Sequence, residues 1–140
     1  MTRVQQVGEF LRFEGRLDRD LFELTILTVA RHWNQQFEWG HHQPIALKAG
    51  VPESVIEDIA AGRRPRSGRQ ELADVWEMTR ELLSTGKVSD ETFAHVRPLG
   101  DETLVELTTT IGYYTTLALI MNVDQSPAPA DAPRLIPEVL

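Results

Sequence analysis

The chain contains no cysteine. That excludes disulfides, thiolate metal sites, iron–sulfur clusters and any mechanism built on a dithiol or a cysteine nucleophile. Basic charge is scarce: 14 Lys+Arg stand against 21 Asp+Glu, for a formal net charge of −7. No broad basic face is available for phosphate backbones or anionic lipid, so neither nucleic acid nor membrane is expected as a partner. The N-terminus lacks an uninterrupted apolar run after Arg3; no signal peptide is expected, and the expected location is cytoplasmic. The most apolar stretch, Leu104–Val123, is interrupted by Glu106, threonines, Tyr113 and Tyr114, a composition too polar for a lipid-facing span and suited to a buried helix. Gly-rich phosphate loops, a Gly-x-Ser-x-Gly elbow and a His-Glu-x-x-His pair are also missing.

What is there is helical periodicity over 140 residues, 41% of them hydrophobic, the size of one ordinary domain. A short segment, Val4–Phe13, precedes Gly15. Asp18 stands where an N-cap is needed for a helix over Arg19–Trp33, with Phe22, Ile26, Val29 and Trp33 at helix spacing. A third helix is expected over Phe37–Ala49 with Gly50 at C′; Pro44 requires either a kink or a late first turn. A short helix opens at Val51-Pro52-Glu53 and runs to Ala61. Arg63–Arg69 is the one basic cluster, and its proline and glycine mark a solvated loop rather than an anion site. Gln70–Thr85 is amphipathic and stopped by Gly86. Ser89 caps a short helix through Val96, and Asp101 is expected to cap a long last helix, Glu102–Val123. After Asp124 a Pro/Ala-rich tail, residues 125–140, offers no helical option; it is expected either disordered or extended over a neighbouring subunit. The fold class is therefore all-α, with six or seven helices in residues 1–124.

A few polar residues break the pattern. Glu23 shares a stripe with Ile26, Leu27 and Ala30. Either it snorkels from the stripe's edge to water, or it is buried, where desolvation raises its proton affinity into the range useful for proton transfer. Phe37-Glu38-Trp39-Gly40-His41-His42 is the densest polar–aromatic cluster. Glu38 and His42 lie one helical turn apart, so the carboxylate either orients an imidazole for acid–base work or forms a plain surface pair. Glu23, His41 and His42 could also make a three-ligand metal set, although the second Glu-x-x-His of di-iron bundles is absent. Tyr113 and Tyr114 sit mid-helix; one belongs to the core and the other is free to aim its hydroxyl into a pocket.

The segment Arg31–Val51, with Glu38-Trp39-x-x-His42 and a small-residue helix ending in Ala49-Gly50-Val51, resembles the signature of the carboxymuconolactone decarboxylase family. The preceding Leu21–Arg31 is similar to that family's Arg-Glu-Leu-Ala-Ile-Leu-x-Val-Ala-Arg helix. The related alkylhydroperoxidase D carries Cys-x-x-Cys-x-x-x-His with a glutamate on the helix before. Laid on this chain, that pattern puts Gln35 and Glu38 at the two cysteines, His42 at the histidine and Glu23 at the glutamate. The resemblance implies an alkylhydroperoxidase D-like helical domain in which Glu23, Glu38 and His42 meet in one pocket. It also implies self-association as a homotrimer or hexamer, and no peroxidase cycle, since both sulfurs are missing. The implied activity is cofactor-free acid–base chemistry on a small lactone or oxo-acid, of lyase or isomerase type, in catabolism of aromatic compounds. In that reading His42 is the general acid/base, Glu38 its orienting partner and Glu23 the second proton-transfer group. His41, Trp39, Tyr113 and Tyr114 are the implied substrate contacts, and no metal is used. The alternatives are a non-catalytic oligomeric ligand-binding protein on the same scaffold and a metal-dependent enzyme.

Overall fold

Ten consecutive residues of the second helix, 21–30, are buried on every side, and the rest of the chain is arranged around them. The computed structural model describes residues 2–125, 127–128 and 130–133. Seven α-helices occur among these residues: α1 Arg3–Phe13, α2 Arg19–His32, α3 Gln36–Lys48, α4 Glu53–Ala60, α5 Gln70–Thr85, α6 Asp90–Val96 and α7 Asp101–Asp124, with a 3₁₀ turn at Arg97–Leu99. No strand is present among them. α2 packs against α3, α4, α5 and α7, which is why its apolar residues form no single stripe. Leu24 and Leu27 are fully enclosed, and truncating either to alanine would cost about 2–5 kcal/mol.

The connection from α2 to α3 sets where Glu38 and His42 fall on α3. Asn34 adopts a left-handed conformation, φ 53°. Its N–H reaches the carbonyl of Arg31 at 3.2 Å, and the N–H of Gln35 reaches that of Ala30 at 2.8 Å. This is a Schellman ending with asparagine in the place usually taken by glycine. Gln35 then caps α3: its side-chain oxygen accepts from the N–H groups of Phe37 and Glu38, while its amide donates to Asn122 on α7 at 2.9 Å. Gly50 ends α3 in the same manner, at φ 99°.

Several helix starts differ from expectation. α3 begins at Gln36 and continues through Pro44, so its first turn is early rather than late. Asp18 stands at the N-cap of α2 but makes no capping hydrogen bond; its carboxylate accepts from Arg69 at 2.9 Å, a charged donor that outcompetes the backbone. Asp101 is the first residue of α7, and Gly100 (φ 92°) takes the cap position. α1 starts one residue early because Thr2 and Gln5 form a capping box. The Arg63–Arg69 segment is a loop, yet its arginines are engaged: Arg63 and Arg66 bind Asp58, Arg64 lies by Asp74 and Glu77, and Arg69 binds Asp18, Asp20 and Glu71.

α7 is the one helix among the described residues long and apolar enough, by length and composition, to cross a membrane. Leu107, Thr110, Ile111, Tyr114 and Ala118 are buried. Contrary to a fully buried helix, Val105, Leu119, Ile120 and Val123 are exposed. Glu106 is tied to the turn before α2, accepting from the N–H groups of Arg16 and Leu17. In the tail, Ala132 and Pro133 lie against α3 at Gly40, where a Cβ would come within 2.8 Å of the Ala132 Cβ. Residues 126, 129 and 134–140 of the tail, expected either disordered or extended over a neighbouring subunit, lie outside the described residues.

Candidate active site

Glu23 projects from the buried length of α2, and α3 crosses beside it. Because Gln35 fixes the first turn of α3, Glu38 and His42 fall on the face turned towards α2. The side chains of Glu23, Glu38 and His42 are each 10% exposed or less. His42 Nδ1 is 2.8 Å from Glu23 Oε2, a hydrogen bond whose donor depends on the tautomer. His42 Nε2 is 3.4 Å from Glu38 Oε2, close enough for charge interaction but not aligned as a hydrogen bond: Glu38 Oε2 is buried with no hydrogen-bond partner from the described protein. The short contact of the histidine is thus with Glu23, nineteen residues away, and the one-turn neighbour Glu38 makes the looser one.

Burial pushes the Glu38 carboxyl above its ordinary range; the charge of His42 offsets part of this and that of Glu23 adds to it.

Tyr114 on α7 completes the site. Its ring meets the imidazole edge-on at 5.6 Å between centroids and Phe22 at 6.0 Å. Its hydroxyl is buried without a hydrogen-bond partner from the described protein, and burial holds its phenol well above the ordinary range, hence protonated and able to donate. Two buried polar atoms, Glu38 Oε2 and Tyr114 Oη, thus flank His42 unsatisfied, at about 1–3 kcal/mol each if nothing meets them.

Of the other candidates, His41 and Tyr113 adjoin this centre, their rings edge-on to His42 at 5.0 Å and to Tyr114 at 5.1 Å between centroids, whereas Trp39 does not. Tyr113 is half-buried and packs its hydroxyl end against Gly8 of α1, where no side chain fits. Trp39 is in the core and lines a different recess with Gln43, Glu53 and Ile56. His41 is exposed and stacks on Phe37; burial, then the charge of His42, lowers its proton affinity. A recess of about 310 Å³ reaches Phe37, Gly40, His41 and Pro44 but not His42. No group of three His, Asp or Glu side chains among the described residues is arranged to hold a metal ion. Sequence reasoning overlooked Arg12 of α1, whose positive charge acts on Glu38, His41 and Tyr114. Nothing in its local sequence signals this, because the effect depends on where the fold places α1.

Seven helices among the described residues, with a carboxylate–imidazole–carboxylate cluster buried between α2 and α3, define an all-α scaffold with one enclosed polar centre. The profile of the carboxymuconolactone decarboxylase family matches residues 1–81, and the chain belongs to that family. Among solved structures it is similar to a protein of unknown function from Agrobacterium tumefaciens, suggested to be the antioxidant defence protein AhpD. The TM-score is 0.76 at 17% identity, over 91% of this chain and 89% of that one. The likeness shows an alkylhydroperoxidase D-like fold. No curated protein matches the chain.

Proposed function

We propose that the chain is a carboxymuconolactone decarboxylase-like, cofactor-free acid–base enzyme of lyase or isomerase type, acting on a small lactone or oxo-acid. The observation that carries this reading is the pair of unsatisfied buried polar atoms, Glu38 Oε2 and Tyr114 Oη, on either side of His42. A substrate carbonyl or carboxyl would meet both. A dithiol peroxidase cycle has no sulfur pair to run on, since the chain lacks cysteine.

In a decarboxylation, CO₂ leaves as its bonding electrons move into the carbonyl-stabilised carbanion, and a proton is then delivered to carbon. Glu23 holds the His42 ring through Nδ1, which makes it the orienting group. The Glu38–His42 pair holds the proton, and the Tyr114 hydroxyl stabilises the enolate-like oxygen. This assigns the two carboxylates the reverse of the roles that the resemblance implied, on the strength of the 2.8 and 3.4 Å distances. The substrate is taken up without nucleic acid or membrane partners, in the cytoplasm, within catabolism of aromatic compounds. Self-association as a trimer or hexamer would cover the exposed Val105, Leu119, Ile120 and Val123 of α7.

The test is turnover of γ-carboxymuconolactone and a panel of small lactones and oxo-acids by the purified chain, followed by CO₂ release. His42→Ala and Glu23→Gln are each expected to lower kcat by about 10²–10⁴-fold; activity indifferent to both would refute the assignment. The enclosure of the three side chains favours one second reading, a non-catalytic binding protein. Saturable binding of the same compounds without turnover would establish it.

A further inference from the structure

On the opposite flank of α2 lies a recess that the acid–base centre does not use. It has a volume of about 130 Å³ and is lined by Thr28, Arg31 and His32 of α2, Ile59 of α4, Gly62, and Trp76, Arg80 and Leu83 of α5. Thr28 and His32 are well round the helix from Glu23, and Arg31 is about two turns beyond it. In a chain of net charge −7, this recess has two arginines and a histidine at its edge and no carboxylate in its lining.

The arginines differ. Arg80 is engaged: it pairs with Glu77 and sits over the Trp76 ring. Arg31 is half-buried and held by one bond, Nε to the carbonyl of Ala60 at 2.7 Å. Both of its terminal NH₂ groups are without an acidic partner among the described residues. The guanidinium is therefore fixed in place with its bidentate edge unspent, the geometry that suits a carboxylate. Gly62, in a left-handed conformation at φ 72°, lies beside that edge: a Cβ there would touch Arg31 Nη2 at 3.7 Å. Behind the charge, Ile59, Trp76 and Leu83 supply an apolar floor. His32 reports the same positive surroundings, since burial and then the Arg31 charge lower its proton affinity.

We infer that this recess is a binding site for a small monocarboxylate with a short apolar body, its carboxylate on Arg31 and its chain against Ile59, Trp76 and Leu83. An inorganic oxyanion would satisfy the guanidinium but leave the apolar floor unused, and a neutral amide would do the reverse. The site stands independently of the chemistry at His42.

The experiment is an NMR titration of the ¹⁵N-labelled full chain with butanoate, and in parallel with butanamide and inorganic phosphate. Butanoate is expected to shift the Arg31 Nε–H, the Gly62 amide and the Trp76 indole N–H saturably, with butanamide and phosphate about tenfold weaker or more. Arg31→Gln is expected to weaken butanoate by about tenfold or more. Leu83→Trp, which fills the recess and leaves Arg31 in place, is expected to abolish the shifts while the rest of the amide spectrum stays unchanged. Equal binding of phosphate would make this a general anion site, and equal binding of butanamide would remove the charge from recognition. Either result overturns the inference, as does the absence of saturable butanoate shifts or binding unaltered in both variants.

Discussion

Asp58 and Glu38 are both buried carboxyls on short helices next to α2, at 2% and 7% exposure, yet their surroundings drive them in opposite directions. Both oxygens of Asp58 are filled: Oδ1 accepts from Arg63 and Arg66 at 3.0 Å each, and Oδ2 from the Arg66 N–H at 3.1 Å. Burial pushes its carboxyl up, but the Arg66 side chain and backbone, with Arg63, more than offset this and hold it below the ordinary range. Glu38 has no such donors at Oε2, so burial prevails and its carboxyl keeps its proton more tightly. Depth alone therefore does not decide the state of a buried acid. The donors placed around it do, and they separate an acid that ties a loop to its helix from one whose Oε2 is left without a donor.

The comparison can be broken by stability measurements. Asp58→Asn should destabilise the protein by about 1.5–3 kcal/mol in urea unfolding, because charge-assisted bonds to two arginines and a backbone N–H are lost together. Glu38→Gln should change stability by less than about 1 kcal/mol, since the removed oxygen has no hydrogen bond to lose. Equal losses would mean that Glu38 is as structural as Asp58.

A pH series sharpens the contrast further. Asp58 is depressed in the folded state, so its contribution is present above the unfolded aspartate range and disappears as pH falls through its lower folded value. Glu38 is raised, so the sign reverses: its protonated form favours folding at low pH, and that contribution is lost as pH rises from the unfolded glutamate range through its higher folded value. Unfolding free energy plotted against pH should then lose part of its acid-side slope in Asp58→Asn. In Glu38→Gln it should lose a decline on the neutral side. The smallest expected effect on stability is that of Tyr114→Phe, under about 1 kcal/mol, because the hydroxyl has no protein partner. The same change should lower kcat/KM about tenfold if the hydroxyl serves the substrate; unchanged kinetics would return Tyr114 to the core.

Much of the fold was legible because helix boundaries are written in local chemistry. α5 and α6 run as expected, with Gly86 in the left-handed conformation after the first and the Ser89 hydroxyl accepting from the Thr92 N–H at the start of the second. α2 starts at Arg19 behind Asp18 as expected but without the side-chain cap, and α7 starts one residue early, at Asp101 itself. A side chain able to cap takes a different partner or position once the remote Arg69, or the glycine before it, is in place. At the site, the Glu38–His42 spacing and the misfit of Glu23 on its stripe were visible. Which carboxylate makes the short bond was not, because a one-turn spacing brings two residues near each other without aligning them.

Local patterning and composition thus set the helices, their ends and the absence of any thiol centre, since each depends on residues within a turn or two of one another. Folding supplied what periodicity does not contain. α2 is sealed by four other helices, so Glu23 is desolvated rather than snorkelling. Tyr114, not Tyr113, faces His42, and the charge of Arg12 acts on the site from a helix with no sequence link to it. These outcomes depend on how α3 and α7 pack against α2, since contacts between elements distant in sequence exist only once the helices are assembled.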